Sequence, residues 1–549
     1  MGGTFPAIAD ALAGLRLRNP GRRIALFYSL NLLGAIVGAS AGPYLLFAQL
    51  GLDRTLLIAA ILGCVVAAIA WRLDRTRFPV LHRERPAQAS STNSGGLPAG
   101  VPLLLAISFL GGFGFFALEV LWVQLISVVF GNSIYSFATM LTAVLIGLFV
   151  GGQLVAATFP KTRAVSALAP GLILLASTLP LGITHDLWPK IPHLLGSMGG
   201  IITTFAGGEL FKWGVAIVLL VPSATLLGML FPVLFRVELP GGGDRVRWVG
   251  YLAAVNSVGC VLGAIFSTFV LLPFLGAEVS DRIIVAIYAG LGLLLLLVAR
   301  PTARVRLASL LFALACFLFV STRPSWNPLE LTSGENVYFK VHQVYPDSKL
   351  VFWDEDAYGG ITTVVENSPR RDGFPRPYRT LLTNGKFQGN DAWEADAQVG
   401  FALIPILQTR ARERALVIGF GTGHSTEVVR TMGFGEITVA EIAPGILEGA
   451  KLFEHLNHDV LADARTHLVL EDGRNLMLLD PRAYDLITME ISSVWFAGAT
   501  NLYSEEFYEL ARQRLRPGGV FQQWLQLHHL DTREVAIALA TVRAVFPEV

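Results

Sequence analysis

The sequence is poor in charged residues. Only 15% of its 549 residues are Asp, Glu, Lys or Arg, whereas a soluble globular chain carries roughly 25%. With 53% hydrophobic residues and a mean hydropathy of +0.56, it has too few charges to cover a water-exposed surface. This excludes a purely soluble, a disordered or a fibrous protein. The net charge of +1 gives no electrostatic reason to expect a nucleic-acid partner.

Cysteine is equally scarce. The chain has only Cys64, Cys260 and Cys316, and each lies inside an apolar run. Three scattered cysteines form neither a disulfide framework nor a metal-ligand cluster. We therefore expect neither a disulfide-stabilised fold nor a bound metal.

The hydrophobic residues are concentrated in the first part of the chain. About 20 apolar residues are needed to cross a bilayer, and eight such runs precede a shorter ninth, Leu307–Ser321. Ordinary charge density returns after Thr322. We therefore predict a transmembrane helical bundle in residues 1–322 and water-soluble structure beyond it. The eight runs are Ile24–Leu50, Leu56–Trp71, Val101–Phe130, Ile134–Phe159, Val165–Ile183, Val215–Phe235, Tyr251–Leu275 and Ile283–Val298.

The orientation in the inner (plasma) membrane follows from lysine and arginine in the connecting segments, which favour the cytoplasm. Alternate segments carry about seventeen of them on the N-terminal side and about three on the other. Nine crossings would place the soluble part outside the cell, whereas eight, with the ninth run partly inserted, would leave it inside. We favour the cytoplasm because the nucleoside cofactor that is inferred below from the second part of the chain is made there.

The bundle contains an internal repeat. The pattern N-x-x-G-x-x-x-G-A begins at Asn31 and again at Asn256, and Gly51 recurs as Gly276. Small residues four apart let helices pack closely, and a duplicated bundle around a cavity is the alternative. Glu119 stands alone in an apolar run. It predicts either recognition of an amine on a membrane-soluble substrate or a hydrogen-bonded structural carboxyl group.

The soluble part begins with short β-branched and aromatic runs broken by glycine and asparagine, between about 349 and 388. These predict a small β subdomain with its linker in residues 323–395. Residues 396–549 then alternate strands and helices, which predicts a Rossmann-like α/β domain. A strand at Arg414–Ile418 runs into the glycine turn of Gly419, Gly421 and Gly423, and a helix follows. This arrangement is typical of a nucleotide-binding unit.

Acidic residues follow the predicted strands. Glu441 ends the second strand, where it could accept hydrogen bonds from ribose hydroxyls. Asp472, beside Gly473, follows the third strand and could read an adenine amino group, and Glu490 follows the fourth. Ligands bind at the carboxyl ends of such strands. These residues also leave NAD as a possible ligand, because the ribose-binding geometry is shared.

The soluble part resembles the polyamine aminopropyltransferases, or spermidine synthases. More closely, the chain resembles bacterial membrane proteins that fuse a helical bundle to such a domain. The resemblance covers most of the chain. Its motifs are ALEVLW, VPSATLLGMLFP and AVNSVGCVLGA in the bundle, and LTNGKFQG, ALVIGFGTG, VAEIAPGILEGAK, LEDGRN, YDLITMEISSVWFAG, LYSEEFYELA and LRPGGVFQQWLQL in the soluble part.

The resemblance implies S-adenosylmethionine or its decarboxylated form as the cofactor. It also implies that the glycine turn, Glu441, Asp472 and Gly473 bind that nucleoside, and that Gln388 and Gln398 line the site. In spermidine synthases the fourth strand ends in Asp-Ser-Ser-Asp, whereas here the second acid is replaced by Ser493. Free putrescine is therefore a doubtful acceptor.

The expected chemistry is attack of an amine on a carbon beside a sulfonium. A carboxylate can hold the ammonium form and accept its proton. Our candidates are Glu490 and then Asp396, with Asp391 third and solvated acids at a helix start as the alternative for both aspartates. Trp495, Phe496 and Tyr503 could close over the site or simply pack in the loop.

We therefore expect an integral-membrane aminopropyltransferase that acts on a polyamine or a lipid amine and contacts membrane lipids. The alternatives are a methyltransferase and a transporter with a nucleoside-sensing domain. A seven-stranded sheet of the implied type needs two strands beyond the predicted helix Arg533–Val545, so we expect those strands to be absent or the domain to be truncated.

Overall fold

The computed structural model describes residues 20–77, 101–158, 168–237, 245–299, 302–340, 347–356, 360–368, 376–491, 494, 498–527 and 530–548. The first part of this structure is helical, and the second part contains two β-sheets. The main helices of the first part are α1 Pro20–Ala41, α2 Ala48–Arg77, α3 Val101–Phe130, α4 Ile134–Thr158, α5 Leu168–Leu187, α6 Ile191–Ser197, α7 Phe205–Leu234, α8 Arg245–Phe266, α9 Leu272–Val298 and α10 Ala303–Ser321.

Seven helical stretches in the described part of the chain are long and apolar enough to cross a membrane. One of them, Gly250–Val298, contains two of the predicted apolar runs, and Leu30–Leu73 contains one run and most of another. Helix α10 has 19 residues, longer than its apolar run suggested, and it is one of the seven. Where the structure describes them, the predicted runs therefore fall largely within helical stretches of sufficient length, and residues 159 and 165–167 lie outside the described residues.

The chain reverses direction at Gly276. Along α3, Ser108 Oγ donates to Leu252 O at 2.8 Å and Ser267 Oγ donates to Ala117 O at 3.1 Å, so α8 runs parallel to α3. By Tyr288 the chain is back beside Gly114, whose added Cβ would lie 2.8 Å from Tyr288 Oη. The second long stretch is thus two antiparallel segments joined at a glycine.

The two copies of the repeat share this local backbone. Gly51 and Gly276 have φ of 75° each, with ψ of 174° and 171°. A π-helical turn precedes each glycine, at Gly42–Phe47 and Ser267–Leu271. Positive φ is open to glycine at little cost, so the sequence repeat is also a structural repeat of the reversal.

Glycines pack the second copy tightly. A Cβ on Gly259 would lie 2.2 Å from Phe109 O, and one on Gly263 would lie 2.1 Å from Phe113 O. Only glycine permits this approach of α8 to α3. The equivalent Gly34 and Gly38 have no atom within 4 Å of such a Cβ among the described residues. The packing role predicted for these glycines thus fits the second copy.

Two short helices, α11 Pro328–Leu331 and α12 Glu335–Tyr338, lead into a four-stranded antiparallel sheet. Its order follows the chain, with β1 Lys349–Asp356, β2 Gly360–Asn367, β3 Tyr378–Thr383 and β4 Lys386–Asn390. The sheet lies within residues 323–395, where the sequence predicts a β subdomain. Helix α13, Trp393–Ile406, leaves it and contacts the second sheet.

The second sheet has five parallel strands in the order β7-β6-β5-β8-β9 within the described residues. Its central strand β5 starts and ends where the sequence predicted, as does β8. Buried aliphatic and aromatic residues on both faces pack against the helices. The elements are β5 Arg414–Ile418, α14 His424–Thr431, β6 Glu436–Glu441, α15 Pro444–Ala450, α16 Glu454–Asn457, β7 Thr466–Leu470, α17 Gly473–Leu479, β8 Tyr484–Met489, α18 Glu505–Gln513, β9 Leu515–Gln523 and α19 Thr532–Val545.

A half-buried carboxylate joins the β subdomain to the bundle. Ala277 N, the first amide after the reversal, donates to Glu355 Oε2 at 2.7 Å. Trp353 Nε1 donates to Glu355 Oε1 at 3.2 Å. Burial raises the pKa of Glu355 to about 7, although these two hydrogen bonds oppose the rise. The second reversal is therefore capped by the soluble part.

Candidate functional site

The glycine turn between β5 and α14 is built from residues with positive φ. Gly419, Gly421 and Gly423 have φ of 88°, 55° and 79°. A Cβ on Gly423 would lie 2.6 Å from the Phe420 ring, so this position is closely packed. At Gly421 the nearest atom to such a Cβ is Gln388 O, at 3.8 Å. The backbone at Gly421 is therefore accessible to a ligand.

Glu441 supports this turn from the end of β6. One of its oxygens accepts from Phe420 N at 2.8 Å, and the other accepts from Ile442 N and Ala443 N at 2.8 and 2.9 Å. Burial raises the pKa of Glu441, and the three N–H donors oppose that rise. A carboxylate offers about four acceptor positions, so about one remains for a ligand hydroxyl.

Asp472 caps the helix after β7. Its Oδ1 accepts from Arg474 N at 2.9 Å and from Asn475 N at 3.0 Å, which leaves Oδ2 outside the cap. Gly473 lets α17 approach the central strand, because a Cβ there would lie 2.6 Å from Ile418 Cγ2. Asp472 is therefore held beside the strand ends by its own helix.

Gln398 connects three elements around the turn. It is 3% exposed, and its Oε1 accepts from Thr422 Oγ1 at 2.9 Å. Its Nε2 lies 2.8 Å from where a Cβ on Gly389 of β4 would be. Gln388 lies within β4, with its carbonyl facing Gly421. Both glutamines thus lie at the glycine turn, and their role in lining a nucleoside site stays a prediction.

Glu490 lies at the carboxyl end of β8, beside Gly419. Ser425 Oγ, in the first turn of α14, donates to Glu490 Oε2 at 2.7 Å. Burial raises the pKa of Glu490 to about 7; the Ser425 hydrogen bond lowers it and the charge of Glu394 raises it. A carboxyl group with such a pKa exchanges a proton readily near neutral pH.

Glu394 is a site residue that the sequence reasoning missed. It is partly buried, which raises its pKa, and its charge acts on Glu490. Helix geometry could have predicted that Glu394 lies on the same side of α13 as Gln398, because residues four apart share a helix face. Asp396 lies two residues from each and is exposed.

Asp396 and Asp391 are not among the groups that act on Glu490. The charge of Asp396 acts on His424, at the start of α14. Asp391 Oδ1 accepts from Arg379 N at 2.6 Å, and its Oδ2 lies 3.1 Å from His455 Nε2. Asp391 thus joins β3 to the helical layer, and a direct part of Asp396 in proton transfer stays a prediction.

Lys386 is a second residue that was not anticipated. Its side chain is fully buried at the start of β4, and its Nζ lies 3.4 Å from both Tyr338 Oη and Gln526 Oε1. Burial lowers the pKa of Lys386 to about 8. A buried cation close to the strand ends restricts which charges a ligand can bring there.

The predicted lid is only partly described. Tyr503 Oη lies 3.0 Å from Ile491 O and 2.9 Å from Trp524 O, so it joins the segments after β8 and β9. Burial raises the pKa of Tyr503 to about 12. Trp495, Phe496 and Ser493 lie outside the described residues. A role of Tyr503 or Trp495 in substrate binding therefore stays a prediction.

Glu119 lies in α3, remote in sequence from this site. It is partly buried and lies near Cys260 of α8. Its predicted interaction with an amine is untested by this geometry. Among the described residues, no three His, Cys, Asp or Glu side chains come together as a metal site would require.

Comparison with known proteins gives matches in both parts of the chain. Residues 400–549 match the family described as the spermine/spermidine synthase domain. Polyamine aminopropyltransferase 2 of Pseudomonas aeruginosa is 31% identical over 180 residues, which cover 31% of this chain and 50% of that protein. The chain thus spans about half of this relative.

Two other relatives match over more of their length. Polyamine aminopropyltransferase 2 of Streptomyces coelicolor is 27% identical over 408 residues, covering 72% of this chain and 69% of that protein. The polyamine aminopropyltransferase of Mycobacterium tuberculosis is 25% identical over 392 residues, covering 67% and 71%. Because residues 323–549 are far fewer than 408, the first of these matches extends into the helical part.

Solved spermidine synthases match more weakly. The crystal structure of spermidine synthase from Thermotoga maritima has a TM-score of 0.32 at 18% identity, covering 36% of this chain and 65% of that one. Spermidine synthase in complex with the transition state analogue AdoDATO has a TM-score of 0.33 at 18% identity, covering 36% and 66%.

Proposed function

We propose that this chain, whose residues 400–549 match the spermine/spermidine synthase domain, is a membrane-integral aminopropyltransferase. It transfers the aminopropyl group of decarboxylated S-adenosylmethionine to an amine and releases methylthioadenosine. The observation that carries this proposal is Glu490, a carboxyl group with a pKa of about 7 that is hydrogen-bonded to Ser425 beside the glycine turn.

The residues around the turn fit a nucleoside donor. The accessible backbone at Gly421, the remaining acceptor position of Glu441 and Oδ2 of Asp472 supply contacts of the kind that a nucleoside uses. Gln388 and Gln398 border the same space. A sulfonium donor supplies a carbon activated by the neighbouring positive sulfur. The protein's part is to align that carbon with the incoming nitrogen.

Glu490 and Glu394 serve the acceptor amine. As carboxylates they attract its ammonium form, whose pKa is near that of lysine, about 10. Glu490 then accepts a proton while the C–N bond forms and the C–S bond breaks, so the thioether leaves uncharged. Because burial keeps the pKa of Glu490 near 7, this carboxylate is a better base than an exposed glutamate.

The helical bundle is an argument for an acceptor that partitions into the membrane. Glu119 lies in a helix long enough to span a bilayer, and a carboxylate at that depth usually faces a cavity or a partner. We propose that it interacts with the amine of such a substrate. Loss of this interaction in Glu119→Gln should raise the KM for a lipid amine and leave that for a soluble polyamine unchanged.

Two arguments bear on the side of the membrane. The cytoplasmic origin of the donor favours a cytoplasmic transferase domain. Nine helical segments that alternate in direction within the described residues would leave that domain opposite the arginine-rich connections, which favours the outer face. A cysteine at exposed Glu448, in a chain lacking its three native cysteines, tests this. Labelling of intact cells by an impermeant maleimide means the outer face, and labelling only after lysis means the cytoplasm.

Product analysis tests the reaction. Detergent-purified protein is incubated with decarboxylated S-adenosylmethionine or S-adenosylmethionine, each with putrescine, spermidine or extracted lipids. We expect methylthioadenosine and an aminopropylated amine. S-adenosylhomocysteine would instead establish the methyltransferase alternative.

The internal repeat favours a second candidate, a transporter whose soluble domain senses a nucleoside. If no donor is consumed, while proteoliposomes accumulate an amine and bound methylthioadenosine changes that uptake, this second candidate replaces the transferase.

A further inference from the structure

The short segment Gly334–Phe339, here called the strap, connects the bundle to the transferase domain through both ends of its α12 helix. On the bundle side, Asn336 Nδ2 donates to Val128 O at 2.8 Å and to Val129 O at 3.0 Å. These carbonyls belong to the last turn of α3, where the helix itself offers no donor. Glu335 Oε2 also lies 2.8 Å from His193 Nδ1 of α6. The strap therefore caps the membrane-length helix α3 and contacts the short helix α6.

Both ends of the strap have left-handed backbone. Gly334 has φ of 75°, and Phe339 has φ of 48°. A Cβ on Gly334 would lie 2.3 Å from Gly385 O in the β3–β4 turn, so only glycine fits. A bulky residue such as Phe339 seldom adopts positive φ unless its surroundings impose that conformation. The strap is thus held from both sides.

On the domain side, Tyr338 contacts the start of β4. Its hydroxyl accepts from Phe387 N at 3.2 Å and lies 3.4 Å from Lys386 Nζ. The Lys386 ammonium also lies over the Tyr338 ring, 5.2 Å from its centroid. The charge of Glu394 acts on Tyr338 as well as on Glu490. One side chain of the strap therefore borders the buried lysine and the proposed acceptor carboxylates.

We propose that the strap makes the bundle part of the transferase site, with Tyr338 and Asn336 as its positioning residues. Tyr338 fixes Lys386 and the strand that carries Gln388. Asn336 fixes Tyr338 by anchoring the strap to α3. Rearrangement of the bundle around a membrane-borne amine is thereby transmitted to the acceptor pocket. This inference rests on the proposed function for its kinetic consequence only.

A double-mutant cycle on the full chain in detergent tests the coupling. Tyr338→Phe removes one hydroxyl, and Asn336→Ala removes the bundle anchor. Each should raise the acceptor KM about five- to tenfold, and the double variant should do no worse than the more severe single one, because both break the same connection. Asn327→Ala is the control: Asn327 also caps a helix of this linker, by accepting from Leu329 N at 3.2 Å. It should leave the KM unchanged.

Hydrogen exchange supplies a readout that needs no activity. In Asn336→Ala, the β4 amides should exchange faster although Asn336 does not touch β4, and Asn327→Ala should leave them protected. Additive effects of the two substitutions on KM, or β4 protection that Asn336→Ala does not change, would overturn the inference. If β4 loses protection while the wild-type protein transfers nothing, the proposed function fails and the coupling stands.

Discussion

The two halves of the molecule arrange their carboxylates in opposite ways. In the α/β domain, acids that are far apart in sequence meet at one edge of a parallel sheet, because each follows the carboxyl end of a strand. In the bundle, two buried acids, Asp281 and Glu209, are each paired with a different partner. Asp281 Oδ2 lies 2.8 Å from His185 Nδ1, and Glu209 lies 3.0 Å from Lys212 Nζ and accepts from Tyr44 Oη at 2.7 Å.

The difference follows from the surroundings. A buried acid in an apolar bundle is tolerated when a partner compensates for its lost hydration, so Asp281 and Glu209 each stabilise a particular helix contact. The sheet edge offers backbone N–H groups and partial solvent access, so several acids can share one space. We infer that chemistry belongs to the domain, whereas most polar groups of the bundle maintain packing.

We expect the largest effect from removing Glu490, the acid at the carboxyl end of β8. Glu490→Gln keeps the shape and a hydrogen-bonding group for Ser425 but cannot accept a proton at neutral pH. We expect kcat to fall about a thousandfold, while calorimetry shows unchanged affinity for methylthioadenosine. Glu448→Gln, at an exposed position, is the control. Retention of full activity in Glu490→Gln would remove this residue from the mechanism.

A smaller effect is expected at the glycine turn. In Gly423→Ala, the added Cβ would lie 2.6 Å from the Phe420 ring on a backbone with φ of 79°, so the turn must distort. Methylthioadenosine affinity should fall about tenfold or more. Gly421→Ala has the same positive-φ strain, at 55°, but no atom closer than 3.8 Å. Without ligand it should be the more stable of the two variants in a melting experiment. Equal affinity of Gly423→Ala and wild type would mean that the turn is not part of the nucleoside site.

The bundle responds to a different kind of change. Gly263→Ala would place a Cβ 2.1 Å from Phe113 O, whereas the repeat-related Gly38→Ala meets no described atom within 4 Å. We expect the first to lower Tm by several degrees, corresponding to about 1–3 kcal/mol, and the second to change it little. Methylthioadenosine affinity should stay unchanged in both. A Tm loss of equal size in the two variants would contradict the packing difference between the copies.

Local features of this fold were predictable from the sequence, whereas long-range contacts were not. Strands β5 and β8 have the predicted bounds, because buried apolar runs between glycine and charged residues leave little choice of register. The reversal at Gly276 was marked only by a repeated glycine, and its capping by Glu355 depends on a contact between distant segments. Lys386 and Tyr338 were missed for the same reason. Glu394 was missed for a different reason. Its spacing of four residues from Gln398 placed both on one helix face, but we chose Asp396 as the candidate acid of this helix.

We expect the smallest effect from substitutions that distinguish Glu394 from Asp396. They test whether carboxylates converge at the edge of the sheet. The charge of Glu394 helps to raise the pKa of Glu490 to about 7. A base must be ionised, so kcat should rise with pH through about that value in the wild-type protein. Glu394→Gln removes the repulsion and should shift this rise to lower pH by a few tenths of a pH unit. Asp396→Asn, an exposed acid on the same helix, should leave it in place. The opposite result, in which Asp396→Asn shifts the pH dependence of kcat and Glu394→Gln does not, would make Glu490 and Asp396 the acceptor carboxylates. The face of α13 that carries Glu394 would then play no part in the proton transfer.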